Sequence, residues 1–270
     1  MQKVKEMQSV ARKITHAIVR PPGKSFLNAI TSSKTPVHID YSKAIAQHNN
    51  YCKALESCGV NVIKLITDDL PDSCFVEDVA ICTPKMAVMT LPGDVRRKDE
   101  VKNIKEPLLQ CYNNVLQIEK GTLDGGDVME INGHYYIGLS KRTNEDGANQ
   151  LIRHLNDYGY TGSTIKIQNE FLHLKSSVTY LENNLLITTP EFESDEYFEG
   201  MNKIVIKNEK DYGAANCIWV NGTILMPQGC PDVEKELKNN GCDKVYPIDA
   251  SEYNKVDGAL TCLSLRLTCD

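Results

Sequence analysis

Short apolar runs alternate with turn residues along most of the chain, in the pattern typical of β-hairpins. Two of the turns are Asn132-Gly133 and Asn221-Gly222, each lying between two apolar runs. Asn-Gly is a strong hairpin signal because both residues tolerate positive φ. Two further turns lie at 83–85 and near 183–184. The pattern therefore predicts four hairpins, over residues 79–90, 128–139, 178–188 and 217–227.

Each predicted hairpin is followed by a charged segment of helical composition and then by one more short strand. The unit recurs about every 40–50 residues, a period typical of propellers and other repeat arrays. A fifth unit can be assembled from both chain ends, and it combines residues 259–267, 16–20, 41–59 and 60–66. Joining the ends in one sheet would close the ring and leave no open sheet edge.

The predicted fold class is therefore α/β, with five ββαβ repeats closed around a pseudo-fivefold axis. The prediction is of a single domain, residues 1–270, in which 1–15 form an N-terminal extension. The main alternative is a plain α/β sandwich without a closed ring.

Composition and charge exclude several classes of function but say little about the fold. The formal net charge of −6 and the lack of a Lys/Arg cluster argue against a nucleic-acid partner. No apolar run has the length of a signal peptide or a membrane span, so we expect a cytoplasmic protein without membrane contact. The ten cysteines show neither Cys-x-x-Cys nor structural-zinc spacing. We therefore expect mostly reduced core thiols, no disulfide framework and no metal site.

In each unit a connector joins the third strand to the next hairpin, and repeat symmetry would bring all five connectors to one end of the axis. Taken alone, Cys262 would be interpreted as a core thiol and His173 as a structural histidine. Their equivalent positions in two connectors favour a shared site instead. The connectors carry, in order, Asp72, Glu77 and Asp78, then Asp124 and Asp127, then His173, then Asn216, and finally Asp257 and Cys262.

A cysteine that converges with one histidine and several carboxylates favours one type of reaction. A thiolate attacks carbon, and an imidazole can move protons to a leaving group and from water. Carboxylates stabilise a cation rather than an oxyanion, and a planar cation that pairs with them is a guanidinium. The residues therefore predict thiol attack on a guanidinium carbon.

Six segments carry a family resemblance: LPDSCFVEDVA, TLDGGDV, GLSKRTN, LHLKS, AANCI and KVDGALTC. In this order they resemble the dimethylarginine dimethylaminohydrolases of the pentein superfamily, and the similarity extends from residue 16 to the C-terminus. It implies a five-bladed α/β propeller, in agreement with the repeats. It also implies that Cys262 is the nucleophile, His173 the general acid and base, and Asp124 the carboxylate that orients the histidine.

The resemblance further implies a set of substrate contacts. They are Glu77 and Asp78 at the guanidinium, Asp72 at the substrate nearby, Arg96 and Arg142 at the α-carboxylate, the Val256 backbone, and Pro22 in a covering loop at residues 20–26. Arg96 and Arg97 are adjacent in the sequence, so Arg97 is the alternative to Arg96 as the contact of the α-carboxylate.

The implied reaction is hydrolysis of free Nω-methylated arginine to citrulline and a methylamine, through a covalent thiouronium and without metal or cofactor. The expected partner is this small guanidino amino acid, and a homodimer is left open. An arginine deiminase and a citrulline hydrolase are alternatives with the same type of site. A non-catalytic binding protein of the same fold is the alternative from a different class.

Overall fold

The computed structural model describes residues 12–167 and 171–269. Residues 1–11 of the predicted N-terminal extension and residues 168–170 of the third connector lie outside the described residues. The strands are β1 His16–Val19, β2 Asn61–Lys64, β3 Ala80–Cys82, β4 Ala87–Met89, β5 Val115–Gln117, β6 Val128–Ile131, β7 His134–Leu139, β8 Thr161–Lys166, β9 Val178–Tyr180, β10 Leu185–Thr188, β11 Asn202–Val205, β12 Ile218–Val220, β13 Thr223–Pro227, β14 Val245–Ile248 and β15 Leu265–Leu267.

Helical segments of two kinds connect these strands. Within the described residues the α-helices are α1 Tyr41–Ser57, α2 Lys105–Leu109, α3 Glu145–Asp157, α4 Pro231–Asn239 and α5 Ser251–Asn254. Short 3₁₀ helices lie at Lys24–Asn28, Val76–Val79, Val95–Asn103, Gly125–Asp127, Leu174–Ser176, Pro190–Phe192, Glu196–Phe198, Glu209–Ala215 and Thr261–Leu263. One of these 3₁₀ helices lies in each of the five connectors.

The described strands form five three-stranded sheets. In each sheet two strands pair antiparallel, and the third runs parallel to the central strand. The fifth sheet draws on both ends of the chain. Ala17 of β1 lies opposite Arg266 of β15 in the antiparallel pair, and β1 runs parallel to β2. The mixed α/β class and the five repeated units predicted from the sequence are therefore confirmed.

The predicted hairpin turns have the backbone that their residues favour. Asn132 and Gly133 have φ values of 53° and 82°, and Asn221 and Gly222 have φ values of 49° and 87°. Positive φ at both turn residues matches the right-handed twist of the flanking strands. The Asn-Gly pairs thus determine where β6 meets β7 and where β12 meets β13.

The helices cover the sheets with one apolar face each. α3 begins after Asn144, whose side chain accepts a hydrogen bond from the Gly147 N–H, and it buries Leu151 and Leu155. Burial of one such leucine contributes roughly 1.5–3 kcal/mol. Among the described residues, no helix combines the length and apolarity needed to cross a bilayer.

Two segments that were predicted to be helical are largely not α-helix. Within 96–112 the α-helix covers only Lys105–Leu109. Pro107 lacks an N–H and clashes with the preceding turn, so it opposes a longer helix. The segment 194–202 holds a single 3₁₀ turn, and Gly200 follows it with a φ of 79°. The repeats therefore keep their strands while their helices vary.

Hydrogen bonds join each connector to the next one, and the fifth connector to the first. The side chains of the five connectors consequently lie together, as the sequence pattern predicts. The bonds are Gly126 N to Asp78 Oδ1 at 2.9 Å, Leu174 N to Asp127 Oδ1 at 2.9 Å, Asn216 Nδ2 to Lys175 O at 2.9 Å, Thr261 N to Asn216 Oδ1 at 2.8 Å, and Thr261 Oγ1 to Glu77 Oε2 at 2.6 Å.

Candidate active site

A narrow pocket lies where the connectors meet, and Cys262 lines it together with His173 and Asp78. Cys262 lies in the 3₁₀ helix Thr261–Leu263 just before β15, and only 9% of its surface is exposed. Burial, followed by the negative charges of Glu77 and Asp78, raises the pKa of the Cys262 thiol to about 12. The resting thiol is therefore protonated at neutral pH, and a bound cation would favour its ionisation.

His173 is held by a buried carboxylate. Its Nε2 lies 3.0 Å from Asp124 Oδ2, and the other Asp124 oxygen accepts a hydrogen bond from Gly93 N at 2.8 Å. Burial opposes protonation of the ring, but the carboxylates of Asp78, Asp127 and Asp124 outweigh it and raise the pKa of His173 to about 9. The resting imidazole is therefore a cation that can donate a proton.

A glycine makes room for this imidazole. A Cβ at Gly126 would lie 2.6 Å from His173 Nδ1 and 3.0 Å from Asp78 Oδ1. Real Cβ atoms do not approach other heavy atoms at 2.6 Å, so a larger residue would displace the ring. The Gly-Gly pair of the LDGGD segment therefore allows Asp78 and the imidazole to pack against the same backbone.

The two adjacent acidic residues of the first connector point to different sides. Asp78 lines the pocket, and its Oδ2 lies 2.7 Å from Arg97 Nη1. Glu77 does not line this pocket but bonds Lys175 Nζ at 2.7 Å and Arg266 Nη2 at 2.8 Å. Burial disfavours the Glu77 anion, yet these two cations keep its pKa below the ordinary value. The structure therefore places Glu77 outside this pocket, with two cationic partners of its own, and its expected contact with a guanidinium stays a prediction.

Asp72 reaches the pocket from the beginning of the same connector. Both of its carboxylate oxygens lie 3.2 Å from the backbone nitrogen of Ile30, which also lines the pocket. Burial raises the pKa of Asp72 above its ordinary value, and the nearby Arg97 opposes this shift. A cation bound beside Asp72 would therefore favour its charged form.

Of Arg96, Arg97 and Arg142, two line the pocket. Arg97 and Arg142 line it, whereas the Arg96 side chain is 65% exposed and pairs with Asp94 at 2.6 Å. Arg97 is buried and bonds Glu100 at 2.8 Å. Arg142 Nη1 is buried, lies 3.7 Å from Asp124 Oδ2 and has no hydrogen-bond partner. Arg97, the alternative to Arg96, therefore lies in the pocket, whereas the Asp94 pair holds Arg96 outside it. Which of the two arginines contacts a substrate stays a prediction.

The covering segment contacts the pocket further along the chain than predicted. Pro22 is buried, its carbonyl accepts a hydrogen bond from Tyr41 Oη at 3.1 Å, and it is not among the side chains that line the pocket. Ile30 takes that position instead. Sequence reasoning missed Ile30 because it is an apolar residue at the start of a mostly polar segment that carries no catalytic or binding motif.

Asp257 of the fifth connector binds the chain just after Ile30. Its carboxylate accepts hydrogen bonds from Ser32 N at 2.5 Å and from Ser32 Oγ at 2.8 Å. The residue has a φ of 59°, a left-handed conformation that few residues other than Gly and Asn adopt readily. Val256 lines the pocket next to it, and a Cβ at Gly258 would lie 2.2 Å from Phe75. Val256 thus forms part of the pocket wall, Asp257 binds Ser32 beside the pocket, and Gly258 leaves room for the Phe75 ring.

Loss of the Ser32 hydroxyl is expected to loosen the cover. Ser32→Ala removes one of the two bonds to Asp257, and we expect KM to rise by roughly 2- to 10-fold with little change in kcat. Ser33→Ala is the matched control, because among the described residues that hydroxyl bonds only Thr35, through its carbonyl, hydroxyl and N–H. Steady-state kinetics on both variants checks this, and equal effects at both positions would contradict it.

One cluster among the described residues has the geometry to hold a metal ion. Ligand atoms of Asp78, Asp124 and His173 all lie within 4.8 Å of one another. A metal ion there would compete with Arg97 for Asp78 and with the proton of His173. The absence of a metal requirement stays a prediction.

The chain is similar to known proteins of one family. Residues 24–210 match the family model described as N,N dimethylarginine dimethylhydrolase, eukaryotic. The chain is 42% identical over 257 residues to the N(G),N(G)-dimethylarginine dimethylaminohydrolase of Pseudomonas aeruginosa, covering 93% of this chain and 98% of that protein. It is 30% identical over 254 residues to the enzyme of the same description from Streptomyces coelicolor, covering 93% and 96%.

The fold is also similar to those of solved structures. A cysteine-to-serine mutant of the Pseudomonas aeruginosa enzyme, complexed with citrulline, matches with a TM-score of 0.91 and 41% identity over 94% of this chain and 100% of that one. The N-terminal domain of the cyanobacterial arginine dihydrolase ArgZ matches with a TM-score of 0.84 over 95% of this chain and 98% of that one, at 19% identity. The second likeness concerns the fold alone.

Proposed function

Since the chain belongs to the dimethylarginine dimethylaminohydrolase family, we propose that it hydrolyses free Nω-methylated arginine to citrulline and a methylamine. The observation that carries this proposal is the pocket in which Cys262 lies with an Asp124-bound His173 and the carboxylate of Asp78. The thiol and the imidazole supply the chemistry, and the carboxylates supply the affinity for a guanidinium. The relative from Pseudomonas aeruginosa, solved with citrulline, supports the same product.

Substrate binding activates the nucleophile. A guanidinium held between Asp78 and Asp72 brings a positive charge next to Cys262, whose pKa is raised by burial and by nearby carboxylates. The thiol then releases its proton to solvent, so one cation enters as one proton leaves. The thiolate attacks the guanidinium carbon, and the C–S bond forms at the expense of a C=N π bond.

His173 serves both halves of the reaction. The imidazolium donates its proton to the departing methylamine, the C–N bond breaks, and a thiouronium stays on Cys262. The neutral imidazole then accepts a proton from water, whose oxygen attacks the same carbon. Collapse breaks the C–S bond, releases citrulline and regenerates the thiol. Asp124 keeps the ring oriented throughout, through the 3.0 Å hydrogen bond.

The substrate preference distinguishes this proposal from a deiminase or a citrulline hydrolase. Apolar groups of Phe75, Leu172 and Ile30 line the pocket beside Cys262 and could receive an N-methyl group. Such a pocket changes transition-state binding by about 1–3 kcal/mol, so we expect preference rather than absolute rejection of arginine. The test is kcat/KM for dimethylarginine, monomethylarginine, arginine and citrulline on one preparation. Ammonia from arginine at about tenfold higher kcat/KM would establish a deiminase instead.

The α-carboxylate of the substrate is assigned to Arg142 together with Arg97. Arg142→Ala should raise KM by roughly 30- to 1,000-fold, equivalent to about 2–4 kcal/mol, because it removes from the pocket a largely buried cation whose Nη1 has no hydrogen-bond partner. Arg96→Ala is the matched control and should behave like wild type, because that side chain is exposed. Steady-state kinetics with dimethylarginine measures both. A larger rise in KM for Arg96→Ala than for Arg142→Ala would instead assign the contact with the α-carboxylate to Arg96.

Alkylation of Cys262 should depend on pH and on the charge of the reagent. Because its pKa is about 12, the thiolate fraction grows steadily as pH rises. Inactivation by neutral iodoacetamide should therefore accelerate from about pH 7 to about pH 10 without a plateau. A cationic haloacetamidine should react at least about 100-fold faster near pH 7, because it brings its own positive charge. A plateau for iodoacetamide near pH 8 would contradict the resting-thiol assignment.

The five sheets are further proposed to close into a five-bladed propeller in a single domain. The bond from Thr261 to Glu77 joins the fifth connector to the first, and β15 pairs with β1 across the two ends of the chain. Both features support closure around one axis. A crystal structure is the test, and a solvent gap between two neighbouring sheets would contradict the closed ring.

A further inference from the structure

Two cysteines outside the candidate active site lie against each other. Cys111 follows α2, and Cys269 lies two residues beyond the end of β15. The Cys269 sulfur is 3.9 Å from the carbonyl oxygen of Gln110, the residue directly before Cys111. Cys111 and Cys269 pack against the same core cluster, and both are partly accessible free cysteines.

Hydrogen bonds of the backbone hold each of the two cysteines in place. The N–H of Cys269 donates to Thr15 Oγ1 at 2.7 Å, and its carbonyl accepts from the same hydroxyl at 3.1 Å. Cys111 is held by the backbone bond from its N–H to Leu108 O at 3.0 Å. Both sulfurs pack on the core cluster that includes Leu108 and Leu267. The backbone therefore brings the two thiols together, independently of any ligand.

We propose that Cys111 and Cys269 form a reversible disulfide when the protein meets a small-molecule disulfide such as oxidised glutathione. This inference does not depend on the proposed function. Burial raises the pKa of the Cys111 thiol to about 12, so Cys111 is a weak nucleophile at neutral pH and serves as the second, resolving sulfur. Cys262 is buried in the pocket, which protects it while the accessible pair reacts.

The exchange is balanced in thiols and disulfides. The Cys269 thiolate attacks one sulfur of oxidised glutathione, the S–S bond breaks, and one glutathione leaves as a thiolate that takes up a proton. The Cys111 sulfur then loses its proton and attacks the Cys269 sulfur, and the second glutathione leaves. Two protein thiols are oxidised and one disulfide is reduced to two thiols.

The bond would join the C-terminal strand of the fifth sheet to the segment between α2 and β5. Because the two cysteines are far apart in sequence, the cross-link closes a long loop and restricts the unfolded chain. We therefore expect the melting temperature to rise by roughly 5–10 °C on oxidation. Neither cysteine lines the pocket, so kcat for dimethylarginine in the oxidised protein should stay within about twofold of kcat in the reduced protein.

The experiment incubates the full reduced chain with oxidised glutathione, blocks free thiols with N-ethylmaleimide, and maps peptides without reductant. The expected result is one cross-linked Cys111–Cys269 peptide and a raised melting temperature that dithiothreitol reverses. Cys111→Ser and Cys269→Ser should each abolish the rise, whereas Cys58→Ser, a half-buried thiol in another core cluster, should keep it.

Three results would overturn the inference. They are a stable glutathione adduct on either cysteine, a cross-link from Cys111 to the neighbouring Cys82, or unchanged free-thiol counts. Peptide mapping of the wild-type chain decides between these outcomes even if a serine variant folds poorly.

Discussion

Replacing Cys262 with serine is expected to lower kcat by roughly 1,000-fold or more while the protein still binds citrulline. A serine hydroxyl fits the same buried position but does not ionise beside Glu77 and Asp78, so the nucleophile is lost and the shape is kept. A cysteine-to-serine mutant of the Pseudomonas aeruginosa relative was solved with citrulline, in agreement with retained binding in that protein. Steady-state kinetics and calorimetric titration with citrulline measure the two effects.

Cys58→Ser is the control for a thiol change outside the pocket, and it should keep full turnover. The melting temperatures of both variants establish that the comparison is made on folded protein. If Cys262→Ser kept more than a few per cent of wild-type kcat, the nucleophile would have to be another group. Loss of citrulline binding together with turnover would instead indicate a disturbed pocket.

His173→Gly is expected to lower kcat for dimethylarginine by roughly 100- to 10,000-fold, because one group performs both proton transfers. With S-methylthiocitrulline the departing thiol needs little protonation, so the first half should still proceed. The thiouronium should then accumulate on Cys262, since no base activates water. Intact mass spectrometry detects this adduct, and a histidine-to-glycine variant of the related enzyme was solved as an adduct with S-methyl-L-thiocitrulline.

Asp124→Asn is the companion variant for this experiment. It should keep adduct formation and lower kcat less than loss of the imidazole does, because the ring stays but its orientation and tautomer are less well fixed. If His173→Gly hydrolysed the adduct at the wild-type rate, water activation would belong to a different residue. An unchanged kcat with a raised KM in Asp124→Asn would place that carboxylate on the substrate.

The sequence predicted those features that depend on local preference and on the repeat. Asn-Gly pairs have a backbone preference of their own, so the turns at Asn132 and Asn221 could be located from residue types alone. Equivalent connectors in the repeats then brought Cys262 and His173 to one place. Both inferences require only the order of short segments along the chain.

Side-chain direction inside the connectors could not be predicted in the same way. Glu77 and Asp78 are adjacent and chemically alike, and only the 3₁₀ turn determines which of them lines the pocket. The same holds for Arg96 and Arg97, where the neighbour Asp94 binds the first arginine and leaves the second to the pocket. A resemblance in sequence gives the segment, whereas the three-dimensional neighbours give the direction.

The pairing of β1 with β15 imposes an order on biosynthesis. β1 leaves the ribosome early and β15 leaves it after the other four sheets have been translated, so the N-terminal strand has no antiparallel neighbour during most of elongation. Its exposed edge is a site for unwanted strand pairing until then. Cys262 lies just ahead of β15, and Thr261 supplies the last bond between connectors. A nascent chain therefore acquires its reactive centre only after β15 has been translated, and chains terminated before Cys262 should be inactive and prone to aggregate.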